Sequence, residues 1–148
     1  MVDNKSALVL LSGGLDSVTA AAWARQQNYD LQGAISFSYG QRHVREIDSA
    51  ASIASYYGLK HQTIALTPIK GSNLTDLGDI PQGRNLSLLA EDIAPTYVPN
   101  RNMILLAYAA AQALLSDVSI LIGGWNAADA LNYPDCRNDF LRVRPTNA

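Results

Sequence analysis

The apolar run Ala7–Leu11 (ALVLL) stops abruptly at Ser12-Gly13-Gly14, and a helix-forming stretch, Ser17–Gln27, follows almost at once. A short run of that kind, ended by serine and two glycines, reads as a buried strand entering a tight turn. Within Ser17–Gln27, Val18, Ala21, Ala22 and Arg25 recur at helical spacing, alanine is the best helix former, and Asn28 is the expected stop. A strand turning directly into a helix commits the chain to an alternating α/β architecture, and the rest of the sequence repeats the pattern. Leu31–Phe37 is a second strand. Arg42–Tyr57 is a second helix, with Gly58 where a left-handed C-terminal cap belongs. His61–Leu66 is a third strand. Arg101–Leu115 is a third helix, with Asn100 as its expected N-cap and Pro99 just before it. Val118–Ile122 is a fourth strand, ended by Gly123-Gly124. Such alternation implies right-handed crossovers and a doubly wound parallel sheet covered on both faces.

At 148 residues the chain is about one domain long, and it is read as one domain, 1–148. A hydrophobic share of 48% with only 16% charged residues excludes disorder and coiled coil. Eleven Lys+Arg against 13 Asp+Glu leave a net charge of -2, which argues against a nucleic-acid partner. The single cysteine, Cys136, excludes an internal disulfide and a zinc site built from several thiolates. The polar start, Met1 to Ser6, lacks the apolar core of a signal peptide, and no run of about 18 apolar residues is present to span a membrane. A cytoplasmic protein is expected.

Two segments stand apart. Thr67–Pro99 has no strong periodicity and holds three glycines and three prolines before Pro99. A loop of that length is usually functional or solvated, and it is read as a cover over an active site. The helix Arg101–Leu115 is apolar nearly all round, as expected of a helix buried in the sheet layer or against a second copy in a homodimer.

The chemistry concentrates at the strand ends. Ser12-Gly13-Gly14-Leu15-Asp16-Ser17 lies where a helix begins, and free backbone amides and the helix dipole favour an anion there. Glycines let the backbone approach a phosphate, and two hydroxyls add donors. Asp16 would repel a bare phosphate, which points to Mg²⁺ between them. No lysine follows the glycines, so this is not a G-x-x-x-x-G-K-[ST] loop, and no G-x-G-x-x-G is present. The plainer alternative is a tight turn in which Asp16 or Ser17 only caps a helix.

Further polar runs follow the other strands: Ser38-Tyr39-Gly40-Gln41-Arg42-His43, Val98-Pro99-Asn100-Arg101-Asn102, Gly123-Gly124-Trp125-Asn126-Ala127-Ala128-Asp129 and Tyr133-Pro134-Asp135-Cys136-Arg137. In open α/β sheets ligands bind beyond the carboxyl ends of the strands, so these runs are expected to share one rim. Each residue also has a plain structural role open to it. Tyr39 can pack on the sheet edge, Arg101 can pair with a surface carboxylate, Asp135 can cap a turn, and Cys136 can be a packing residue.

The loop spelled S-G-G-L-D-S resembles the pyrophosphate-binding loop of the ATP pyrophosphatase (PP-loop) family, whose members split ATP between the α and β phosphates and adenylate a carbonyl oxygen. Taken with F-x-Y-G-Q-R-H, V-P-x-R-N and Y-P-D-C-R, in that order, the chain resembles the 7-cyano-7-deazaguanine synthase (QueC) group from Ala7 to about Phe140. The resemblance implies an adenine nucleotide alpha hydrolase-like (Rossmann-like) fold, ATP and Mg²⁺, and the conversion of 7-carboxy-7-deazaguanine and ammonia to the nitrile in queuosine biosynthesis.

Within that resemblance, residue type distributes the roles. Leu11, Ser12, Gly13, Gly14, Leu15, Asp16, Ser17, Val18 and Thr19 would hold the nucleotide, with Asp16 toward magnesium. Asp16, Arg101 and Arg137 would serve catalysis. Tyr39, Gln41, Arg42, Asn126, Asp129, Tyr133 and Asp135 would hold the deazapurine. The group's four zinc-binding cysteines have no counterpart in this sequence, so the chain reads as the N-terminal two-thirds of such an enzyme. Two alternatives remain at this point: a non-catalytic nucleotide-binding remnant or subunit, and another PP-loop enzyme such as a tRNA-thiolating one.

Overall fold

The computed structural model describes residues 5–39, 44–67 and 97–141. Its elements run β1 (Ser6–Leu10), α1 (Leu15–Gln26), β2 (Asp30–Ser38), α2 (Val44–Tyr56), β3 (His61–Ala65), α3 (Arg101–Leu115), β4 (Ile120–Ile122) and α4 (Asn138–Leu141). Two 3₁₀ turns, Asp129–Leu131 and Pro134–Cys136, lie between β4 and α4. The four strands form one parallel sheet in the order β3-β2-β1-β4. The expected α/β class, with a parallel sheet covered by helices, is what forms.

Strand β1 is buried on both sides because it has no polar face to offer water. Ala7, Val9 and Leu11 point to one layer, where they meet Ala21 and Ala24 of α1 and Ala50 and Ala54 of α2. Leu8 points to the other, with Ile35, Phe37, Ile64, and Ala109 and Ala113 of α3. All three long helices touch the sheet through alanines three or four residues apart, the spacing that returns to one helix face. A methyl is the smallest side chain that still buries apolar surface, so the helix backbones approach the strands closely.

Strand order reverses at β1: β2 and β3 build outward on one side, and β4 is added on the other. The ends of β1 and β4 therefore open onto a switch point, where a crevice forms.

Element boundaries differ from the sequence reading by one or two residues, for identifiable reasons. Helix α1 begins at Leu15, not Ser17, because extended Gly14 already accepts the Val18 amide at 3.2 Å. Strand β4 begins at Ile120 because Asp117 turns left-handed (φ 53°) and the Val118 amide goes back to the Ala113 carbonyl at 2.9 Å. Gly58 adopts the left-handed turn expected after its helix, at φ 67°, and Asn28, the expected stop of α1, is left-handed as well, at φ 59°. The cover expected over Thr67–Pro99 lies outside the described residues from 68 to 96.

Candidate active site

The loop leaving β1 is shaped by its own hydroxyls. The Ser12 amide and Ser12 Oγ both donate to Ser17 Oγ, at 3.2 and 3.1 Å, and Ser17 Oγ donates to the Gly14 carbonyl at 2.9 Å. The Gly14 amide donates to Ser12 Oγ at 3.3 Å. Ser17 is buried while Asp16 beside it is exposed. Among the described residues no side chain caps α1. The first amides of a helix have no intrahelical acceptor, so those of Leu15, Asp16 and Ser17 are available to an outside anion.

The two glycines do different work. Gly13 stands at φ +85°, and a Cβ there would lie 2.0 Å from the Glu46 carbonyl oxygen of α2. Ser49 of α2 also donates to the Gly13 carbonyl at 3.2 Å. Gly13 is thus demanded by packing. A Cβ on Gly14 would meet only Ser12 Oγ, at 3.4 Å. Across the switch point Gly124 lies against the first turn of α1, where a Cβ would be 2.4 Å from the Asp16 carbonyl.

A cavity of about 260 Å³ opens between these loops. Leu11, Ser12 and Ser17 line one side, Tyr39 and Arg101 another, and Gly124, Trp125 and Asp129 a third. The Arg101 guanidinium donates to the Tyr39 hydroxyl at 3.2 Å and sits 5.8 Å from that ring's centre. Burial alone would lower the pKa of Arg101. Attraction to the Tyr39 oxygen, with smaller help from Asp135 and Cys136, outweighs it and raises the value, so the positive charge is secure. Burial also raises the Asp129 carboxyl, and repulsion from Asp16 adds to the rise against a smaller opposing pull from Arg101.

The cavity floor is the buried Ser36, whose hydroxyl donates to the Leu11 carbonyl and lies 2.7 Å from His61 Nε2. Burial pushes the Cys136 thiol up, with repulsion from Asp135 next, so the sulfur is a poor nucleophile at neutral pH.

The other residues named from sequence are distributed unevenly. Asn126 is exposed and accepts the Ala128 amide at 2.8 Å. Tyr133 stacks obliquely on Tyr97 at 6.5 Å. Arg137 is exposed, and its Nε donates to the Ala130 carbonyl at 3.1 Å. Asp135 is turned inward and only 2% exposed. None of these four lines the cavity. Gln41 and Arg42, with Gly40 and His43, lie outside the described residues.

The cavity also uses residues that sequence reasoning passed over: Ser36, Phe37, Glu46, Ile47 and Leu105. Ser36 had left a signal, as the one hydroxyl inside the apolar stretch Gly33–Phe37 of β2. The α2 and α3 residues had left none.

The sequence matches the family model described as Queuosine biosynthesis protein QueC over residues 6–146. It is 46% identical, over 96% of its length, to the 7-cyano-7-deazaguanine synthase of Thermoplasma acidophilum, of which it covers 60%. It is 43% identical to that of Desulfatibacillum aliphaticivorans, again over 96% of its length, covering 62% of that protein. It is 45% identical to that of Acinetobacter baylyi over 93% of its length, covering 58%. The chain therefore spans about three fifths of the length of these relatives.

Proposed function

The chain belongs to the family of queuosine biosynthesis protein QueC, and on that premise we propose that it binds ATP at the start of α1 and takes part in making 7-cyano-7-deazaguanine from 7-carboxy-7-deazaguanine and ammonia. The observation that carries this reading is the uncapped first turn of α1, opening beside a cavity that also holds a secured arginine.

The chemistry follows from the leaving group. A carboxylate resists attack by ammonia because oxide would have to depart. Adenylation turns that oxygen into AMP, which leaves readily. A second adenylation, on the amide oxygen, allows dehydration to the nitrile. The free amides of Leu15, Asp16 and Ser17 hold the polyphosphate, with Leu11, Ser12, Gly13, Gly14, Val18 and Thr19 forming the loop and first turn around it. Arg101 faces the negative charge that builds as pyrophosphate separates, and preorganised charge of that kind lowers the barrier most where water is excluded. Tyr39 and Trp125 offer aromatic surface to a flat base, and Asp129 offers an acceptor to its amino or N–H edge. Gln41, Arg42, Asn126 and Tyr133 are assigned to the outer rim of the base site, and Arg137 to a second cation at that rim.

Asp16 suits magnesium, which is usually held by one or two carboxylates plus substrate phosphates and water. No cluster of three or more acidic, histidine or cysteine groups is present among the described residues to hold a metal alone. When bound, the ion supplies charge neutralisation at the phosphates.

Among the described residues no helix is long and apolar enough to cross a membrane. The proposal places the chain in the cytoplasm, acting on small molecules. Met103, Ile104, Leu114 and Leu115 of α3 are exposed, a face suited to a second copy of the chain.

The test is direct. The protein is supplied with ATP, Mg²⁺, ammonia and 7-carboxy-7-deazaguanine, and AMP and nitrile are measured. Both are expected. ATP binding without AMP would instead identify a nucleotide-binding piece that needs a further polypeptide, and absence of ATP binding would remove the loop assignment.

A further inference from the structure

Asp135 does not touch the cavity, yet it is more deeply buried than any other carboxylate among the described residues. Burying a charge is costly unless it is paired or hydrogen-bonded, so its contacts need an explanation. Its Oδ2 accepts the backbone amide of Asn102 at 2.9 Å. Asn102 is the second residue of α3, so the carboxylate fills the amide row at that helix start from a position 33 residues later in the chain. Asn100, which holds the N-cap position, makes no side-chain cap and is left-handed at φ 50°. The Asn102 side chain closes the clamp from the other direction, its Nδ2 donating to the Asp135 carbonyl at 3.1 Å and to Cys136 Sγ at 3.2 Å.

Arg101 is the first residue of α3 and the neighbour of Asn102. Its orientation toward Tyr39 and the cavity therefore depends on how that first turn is seated. We propose that Asp135 is a positioning residue: by capping α3 through the Asn102 amide, it fixes Arg101 against Tyr39 at the cavity wall. This rests on the catalytic part given to Arg101 above. The ligand of Asp135 is then the protein's own backbone and not the substrate. Its other oxygen, Oδ1, has no hydrogen-bond partner among the described residues.

The substitutions separate capping from substrate contact. Asp135→Asn keeps an acceptor for the Asn102 amide, and asparagine is itself a good cap. Asp135→Ala removes the acceptor. The proposal expects Asp135→Ala to lower the turnover number for AMP formation about 100-fold, the scale of a reacting group displaced by roughly 1 Å, with ATP affinity unchanged. Asp135→Asn should restore turnover to within about threefold of the parent, well short of the loss from displacement. The double variant Asp135→Ala/Arg101→Ala should be no slower than Arg101→Ala.

Asp135→Asn as inactive as Arg101→Ala would overturn the proposal, and so would losses from Asp135 and Arg101 that multiply. Should the alanine variant not fold, the asparagine variant alone decides between these outcomes. Crystal structures of parent and variant give a readout that needs no turnover: in Asp135→Ala, or in Asp135→Leu if alanine fails, Arg101 must leave the Tyr39 hydroxyl. If it stays, positioning is wrong. AMP formation absent from the parent would instead refute the proposed reaction and leave the crystallographic comparison to judge Asp135.

Discussion

Helices α1 and α3 both begin at the mouth of the same cavity, one contributing Ser17 and the other Arg101 and Asn102. Their beginnings are finished in opposite ways. The start of α3 is closed by the protein itself, since the Asp135 carboxylate lies on the Asn102 amide. Among the described residues the start of α1 has no side-chain cap, and Ser12 and Ser17 use their hydroxyls to hold the loop's shape. Equal rows of backbone amides thus serve different ends. Where the chain supplies its own anion, the helix start is a fixed wall. Where it supplies none, the start is a socket.

The hardest blow to this contrast is Gly13→Val. The residue needs a positive φ, and its Cβ would fall 2.0 Å from the Glu46 carbonyl of α2. Neither backbone can yield without separating the loop from α2. Strain at such a φ costs about 1–3 kcal/mol, and the steric conflict adds to it, so a loss of about 4 kcal/mol is expected. Urea unfolding measures it. A variant as stable as the parent would mean that the loop does not lean on α2.

Gly14→Val separates socket from scaffold. Gly14 is already extended (φ -78°), and its Cβ would meet only the Ser12 hydroxyl. Stability should change by less than about 1 kcal/mol. An isopropyl group beside the open amides should nevertheless weaken ATP binding by about tenfold or more, roughly 1.4 kcal/mol, as titration calorimetry would show. Asp16→Ala should weaken binding only when Mg²⁺ is present. Unchanged affinity in both variants would show that the open helix start is not where the nucleotide sits.

The contrast also marks what was legible in the sequence. The strand–helix alternation, the extent of α3 and the loop after β1 follow from local periodicity and from two adjacent glycines. Those signals act within one or two turns of chain. The cap on α3 is invisible at that range, because Asp135 lies beyond β4 and reaches Asn102 only once the sheet has formed. The part of α2 in holding Gly13 is hidden in the same way, since a backbone carbonyl has no signature in sequence. Arg137 shows the converse limit. It belongs to a recognisable motif, yet its guanidinium turns to the Ala130 carbonyl at the surface.

Ser17→Ala is a milder probe of the socket. It removes the oxygen that joins Ser12 to the Gly14 carbonyl. Ser17 is buried, so the loss should be about 1 kcal/mol in stability. ATP affinity should fall with it, because the loop must then be ordered at the expense of binding. A loss confined to stability would show that the socket keeps its shape without its hydroxyls.

The smallest expected effect concerns the brace beneath the socket. Ser36 has one hydroxyl proton, and it is directed to the Leu11 carbonyl at the end of β1. His61 Nε2, 2.7 Å away, must then be the protonated ring nitrogen that donates to Ser36 Oγ. Burial lowers the His61 pKa below the ordinary 6.5. The unfolded chain therefore takes up a proton before the folded one as pH falls. The stability His61 contributes is complete above about pH 6.5 and declines as pH drops through the lower folded value. His61→Gln should abolish that component of the pH profile. The added proton goes to Nδ1 and leaves the Nε2 donor in place. ATP affinity, compared between parent and His61→Gln so that titration of the nucleotide cancels, should show no step in the same window. A step there would reverse the polarity of the brace, because only a histidine that accepts the Ser36 proton would lose this contact on protonation and free the hydroxyl from Leu11.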